Sequence, residues 1–119
     1  MQMEVLQSKI HRATVTGADL DYVGSISISR ELCDAAGLQE GRKVLVANIA
    51  NGNRFETYVM VLDEPGAVVT NGAAAHLAAP GDKVIIMAFA LVSEDEAASF
   101  RPGIVIVDED NSISEVRKG

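Results

Sequence analysis

The sequence predicts a mainly β protein, a closed β-barrel with short crossover helices. Three observations lead there. Runs rich in Val, Ile and Thr recur along all 119 residues, punctuated by Gly, Pro and Asn-Gly turn signals. The helical signals between them are brief. Six or so short strands would expose unpaired edges unless the sheet closed on itself, which a barrel achieves.

In order, Met3 to Thr16 reads as a long strand, with Val5, Ile10 and Val15 among its apolar positions. Lys9 and His11 stand two apart, so they share one strand face. Gly17-Ala18-Asp19 reads as a turn, and Asp19 to Tyr22 leads to a short strand that begins at or just after Ser25. Ser29 reads as the N-cap of a helix over Arg30 to Ala36, with Gly37 as its stop. Gly41-Arg42-Lys43 opens a strand through Ala47. Asn51-Gly52 signals a hairpin, and the return strand runs from Arg54 to Leu62. There Phe55, Thr57, Val59 and Val61 take one face, and Arg54, Glu56, Tyr58 and Met60 the other.

Pro65-Gly66 turns into a strand from Ala67 to Thr70. Asn71-Gly72-Ala73-Ala74-Ala75-His76-Leu77 is a glycine-containing turn feeding a short helix, whose backbone N–H groups suit a carboxylate or oxyanion. After Pro80-Gly81-Asp82, Lys83 to Val92 is the most apolar run and reads as a central strand. Ser93 to Glu96 fits a capping box. Ile104 to Val107 makes a last short strand, and Asn111 to Gly119 reads as a charged, loose tail.

Composition narrows the function. The length suits one domain, residues 1–119, around a single modest core. With 48% apolar residues on so small a core, an oligomer that buries surplus apolar surface is expected. A net charge of −7 argues against nucleic-acid binding, yet one or two placed cations can still hold a small anion. The single cysteine, Cys33, gives no disulfide framework and no thiol metal site, and it reads as a small core residue. No metal is expected. There is no basic leader into an apolar run and no run of membrane-spanning length, so a soluble cytoplasmic protein, with no membrane partner, is expected.

Tyr22-Val23-Gly24-Ser25-Ile26-Ser27-Ile28 carries the most chemistry. Gly-Ser alone is an ordinary turn dipeptide. Under backbone strain, however, Ser25 Oγ can attack the carbonyl of Gly24, where no Cβ blocks the approach. The resulting ester loses its acyl group by β-elimination. Hydrolysis of the dehydroalanine leaves a pyruvoyl group at a new amino terminus.

Four blocks then coincide: Gln7 to Thr16, Tyr22 to Ile28, Asn51 to Tyr58, and Asn71 to His76. In order and spacing they resemble the pyruvoyl-dependent aspartate 1-decarboxylase family from about Met3 to Val107. The resemblance implies a six-stranded double-psi β-barrel assembled as a homotetramer, with active sites between subunits. It implies cleavage between Gly24 and Ser25 into chains 1–24 and 25–119. Cleavage is either spontaneous or assisted by a maturation factor. It implies a covalent pyruvoyl cofactor from Ser25, with no pyridoxal phosphate. L-Aspartate would join it as a Schiff base and leave as β-alanine and CO2, feeding pantothenate and coenzyme A synthesis.

The resemblance also assigns roles. Tyr58 becomes the proton donor. Gly24, Ser25 and Thr57 act in processing, with Thr57 bonding the oxyanion at Gly24. Lys9, Arg54, Thr57, Asn71, Gly72, Ala73, Ala74 and Ala75 bind substrate, and His11 and Tyr22 support them. Arg54 offers a fork suited to a carboxylate and Lys9 a second charge. Thr57 and Arg54 point oppositely on an ideal strand, which requires either a bulge or two separate destinations. Two rivals stand beside this reading: glutamate as the substrate, since one methylene discriminates weakly, and a non-catalytic barrel that binds a small anion and stays uncut.

Overall fold

Strands make up most of the protein in its computed structural model, which describes residues 1–119. They are β1 (Gln2–Thr14), β2 (Gly17–Asp19), β3 (Ser25–Ser29), β4 (Lys43–Asn48), β5 (Arg54–Leu62), β6 (Val68–Asn71), β7 (Lys83–Ser93), β8 (Gly103–Val107) and β9 (Ile113–Lys118). Two helices, α1 (Arg30–Ala36) and α2 (Glu94–Ala97), and a 3₁₀ helix at Gly72–His76 join them. The mainly β expectation holds.

The strands form one hydrogen-bonded series in the order β2-β6-β3-β5-β4-β7-β1-β8-β9. β1 and β2 are six places apart in it, roughly 29 Å on a flat sheet. Only two residues, Val15 and Thr16, separate them along the chain, and so short a link reaches about 10 Å. The sheet must therefore curl back on itself. The link is itself tied at both ends of the curl: Val15 N–H donates to Asp82 O at 2.9 Å, and Thr16 N–H to Val68 O at 2.8 Å.

Inside the curl lies one core of 19 residues, with Ile10, Ile26, Ile28, Leu32, Val46 and Ile86 fully buried or nearly so. Those on strands sit at alternate positions, as a half-buried sheet requires. α1 covers one end with Leu32, Cys33 and Ala36. Its caps act as its sequence dictates: Ser29 Oγ accepts from Leu32 N–H, and Gly37 takes the left-handed conformation at φ 69°. Ser93 and Glu96 form the reciprocal capping box of α2. No helix is long and apolar enough to cross a membrane.

Two segments differ from the sequence reading, and each adds a strand. Gly17–Asp19 is a parallel strand against β6 instead of a turn. Thr16 anchors it, since its hydroxyl both donates to Val68 O and accepts from Val68 N–H. Long-range pairing there outweighs the turn composition. The tail is also ordered, because β9 pairs antiparallel with β8. Asn111, buried and left-handed at φ 61°, precedes it. Its side chain accepts from Thr14 N–H at 2.7 Å and donates to Thr14 O and Gly66 O, both at 2.8 Å. Charged residues along β9 mask its alternation in the sequence.

Candidate active site

β3 starts at Ser25 and is held on both sides. On one side it runs antiparallel to β6, where Ser25 stands opposite Asn71. On the other it runs parallel to β5, where Ile26 stands opposite Val59. The pairing of β3 with β5 begins there, one residue after Ser25, and Gly24 lies in the bend before the strand. Ser25 is thus fixed beside Asn71 by the β3–β6 register, close to the start of the β3–β5 pairing.

Ser25 is buried, although Gly24 before it is exposed. The Ser25 hydroxyl accepts from Asn71 Nδ2 at 2.9 Å and makes a long contact, 3.5 Å, as donor to Val23 O. The same amide nitrogen donates to Ser27 Oγ at 2.9 Å. Both amide protons of Asn71 are therefore spent on the two serines of β3, which fixes the Ser25 side chain at the edge of the exposed loop.

Gly72 follows Asn71 with φ 64°, a conformation that glycine adopts freely. A Cβ there would sit 2.8 Å from Gly24 Cα and 2.9 Å from Gly24 N. The turn after β6 thus packs its backbone directly on the backbone of Gly24. At Gly24 itself a Cβ would meet nothing within 4 Å, so the side-chain side of that residue is open.

Gly24, Phe55, Glu56, Thr57, Tyr58, Asn71, Ala73, Ala74 and Leu77 line one cleft of about 340 Å³. It lies just before β3 begins, where the first half of β5 is left without a neighbour on that side. Pairing of β5 with β4 runs without a register shift from Tyr58 to Arg54. No bulge is present, so Thr57 and Arg54 have separate destinations. Thr57 and Tyr58 both border the cleft, and Arg54 lies outside it on the exposed face.

Lys9 is also outside. Through the registers of β5, β4, β7 and β1, Glu56 stands opposite Leu45, Leu45 opposite Met87, and Met87 opposite Lys9. That is three strand spacings, roughly 14 Å. His11 shares the half-buried outer face with Lys9. Its Nδ1 is buried with no hydrogen-bond partner. Desolvation, then the charges of Lys9, Arg12 and Arg117, hold its pKa below the ordinary 6.5. Tyr22 is exposed in the loop before Gly24, and Ala75 is half-buried beside the cleft without lining it. Cys33 is a core residue whose thiol donates to Ile28 O at 3.6 Å, and burial pushes its pKa up to about 11.

Three cleft residues escape the sequence reading: Phe55, Glu56 and Leu77. Ser27, the second acceptor of Asn71, escapes it too. The i, i+2 spacing of Ser25 and Ser27 on one strand was the available signal for Ser27.

The family described as aspartate decarboxylase matches residues 1–114. Aspartate 1-decarboxylase from Campylobacter jejuni is 53% identical over 116 residues, covering 98% of this chain and 92% of the relative. That from Corynebacterium efficiens is 57% identical over 114 residues, covering 95% and 84%. That from Clostridium beijerinckii is 51% identical over 117 residues, covering 98% and 94%. With the Gly24-Ser25 site built as described, these matches establish that the chain belongs to the aspartate decarboxylase family.

Proposed function

We propose that this protein is a self-processing aspartate 1-decarboxylase, which converts L-aspartate to β-alanine and CO2 in the cytoplasm for pantothenate synthesis. The observation that carries the reading is the hold of Asn71 on Ser25 Oγ, one residue after the exposed Gly24.

Processing is chemistry of the chain's own residues. Ser25 Oγ bonds to the Gly24 carbonyl carbon, and the C–N bond breaks, leaving an ester and a free amine. Loss of the Ser25 α-proton and of the ester oxygen releases Gly24 as a carboxylate. Water then replaces the nitrogen as ammonia departs. Thr57, which lines the same cleft as Gly24, donates to the oxyanion of the first step in this reading. The chain separates into 1–24 and 25–119.

The residues at the cleft fit a pyruvoyl group at position 25: Asn71 supplies a donor and the Gly72 turn leaves backbone-sized room. Such a group supplies a ketone that captures an amine and accepts the electron pair freed as CO2 departs. Tyr58 holds a phenolic proton at the same place for the substrate α-carbon. Ala73 and Ala74 wall the cleft, and Asn71 and the backbone of Gly72 and Ala75 complete that turn. Arg54 and Lys9 bind the two carboxylates, with His11 and Tyr22 supporting.

Lys9 is roughly three strands from β5 in its own chain. A neighbouring copy supplies it in the homotetramer we propose, with the site at the junction. Leu20, Tyr22 and Val23 support this, as they are 57%, 51% and 72% exposed in the segment that leads to Gly24. The test is a product assay on purified protein. β-Alanine and CO2 from aspartate, lost in Ser25→Ala, support the reading. Equal turnover by Ser25→Ala contradicts it, and preferential turnover of glutamate would reassign the substrate.

A further inference from the structure

Glu56 is the one charged side chain lining the cleft. Its sign is wrong for a site that takes a dicarboxylate. It lies on the same β5 face as Tyr58, two residues and roughly 7 Å away. Lys43 meets it from β4, with Nζ 3.0 Å from Glu56 Oε2. In the β4–β5 register Lys43 stands directly opposite Tyr58. The ion pair thus runs diagonally across the strand pair next to Tyr58, with Glu56 on the cleft and Lys43 just outside it, in a neighbouring hollow that Glu4 also lines.

From this arrangement, and resting on the proposed decarboxylation of aspartate, we infer that Lys43 is a positioning residue for substrate charge. It neutralises Glu56 so that an anionic substrate can enter beside Tyr58. The pair itself adds little to folding, because both side chains are well exposed, at 73% and 64%. Its consequence is local. With Lys43 removed, an uncompensated carboxylate faces the incoming substrate carboxylates. With Glu56 removed, an uncompensated ammonium faces them instead. The two losses therefore act in opposite directions on substrate binding and leave the chemistry at Ser25 untouched.

The experiment compares Lys43→Met, Glu56→Gln, the double variant and Lys43→Arg with the parent protein. At about 0.01 M ionic strength the screening length is roughly 30 Å, long enough for the charge to reach the substrate. There Lys43→Met raises KM for aspartate about threefold with kcat unchanged. Glu56→Gln lowers KM, the double variant returns close to the parent, and Lys43→Arg matches the parent. At about 1 M salt, where screening falls to roughly 3 Å, the ratios collapse to one. Unchanged KM in both single variants at low salt overturns the proposal. So does a raised KM for Lys43→Met that persists at high salt, since packing rather than charge would then be responsible. Denaturing mass spectrometry of each variant reads processing separately. A parent protein that makes no β-alanine sinks the functional reading itself, an outcome distinct from either result above.

Discussion

Asn71 Nδ2 donates to Ser25 Oγ at 2.9 Å across the antiparallel pair of β6 and β3. The contact joins two segments that lie far apart in sequence, and it exists because the register sets these two residues opposite each other. It holds the hydroxyl in one place, directly after the exposed Gly24. An oriented nucleophile is what the first step of cleavage requires.

Asn71→Ala removes that hold. Cleavage is expected to slow by about 100-fold, the scale of misplacing a reacting group by about an ångström. The loss of buried hydrogen bonds costs about 1–2 kcal/mol, which a folded domain tolerates. A time course of intact chain on a denaturing gel measures the rate. Cleavage at the parent rate would remove Asn71 from processing.

Gly72→Ala tests the backbone contact with Gly24. The new Cβ would sit 2.8 Å from Gly24 Cα, and position 72 has φ 64°. The left-handed conformation alone costs about 1–2 kcal/mol for alanine, and Gly24 must also move. The expected outcome is a folded sheet by circular dichroism with cleavage strongly impaired. Unimpaired cleavage would show that the position of Gly24 does not depend on this packing.

Arg54→Ala separates processing from substrate binding, because Arg54 lies outside the cleft that Gly24 lines. Cleavage is expected to proceed normally. KM for aspartate rises roughly tenfold or more, the scale of a charge-assisted bond of about 1.5–3 kcal/mol. An unchanged KM would end the carboxylate role of Arg54.

His11 predicts a pH dependence with a definite sign. Its pKa is lowered in the folded protein from 6.5, by desolvation first and then by Lys9, Arg12 and Arg117. The unfolded chain therefore binds the proton more readily. Stability is full above the unfolded value and falls as pH drops through it. Asp63, Asp82 and Glu96 are held below their ordinary 3.8 to 4.5, so their losses come at lower pH. Thermal midpoints measured from about pH 8 to about pH 5 should decline for the parent and flatten for His11→Gln. Parallel curves would contradict this.

Much of this was legible in the residues. Turn chemistry and caps placed α1 between Ser29 and Gly37, and alternation bounded β5 as Arg54 to Leu62. Local signals failed where pairing is long-range. Gly17–Asp19 became a strand because β6 offered it partners, and the tail became β9 because β8 did. The site shows the same division. Gly24, Ser25, Thr57, Tyr58 and Asn71 could be named from spacing and resemblance. Glu56 could not, because a charged residue on an outer strand face looks solvated until the neighbouring cleft is seen. The bulge required to align Thr57 with Arg54 is absent. The free edge of β5 brings Thr57 to the cleft without one.

The mass of the protein under denaturing conditions bears most directly on the link between Gly24 and Ser25. Mature protein should give two chains, residues 1–24 and residues 25–119, the second lighter by one ammonia than a chain beginning with serine. Ser25→Ala should give one intact chain. An unbroken parent chain that still converts aspartate to β-alanine would contradict the account.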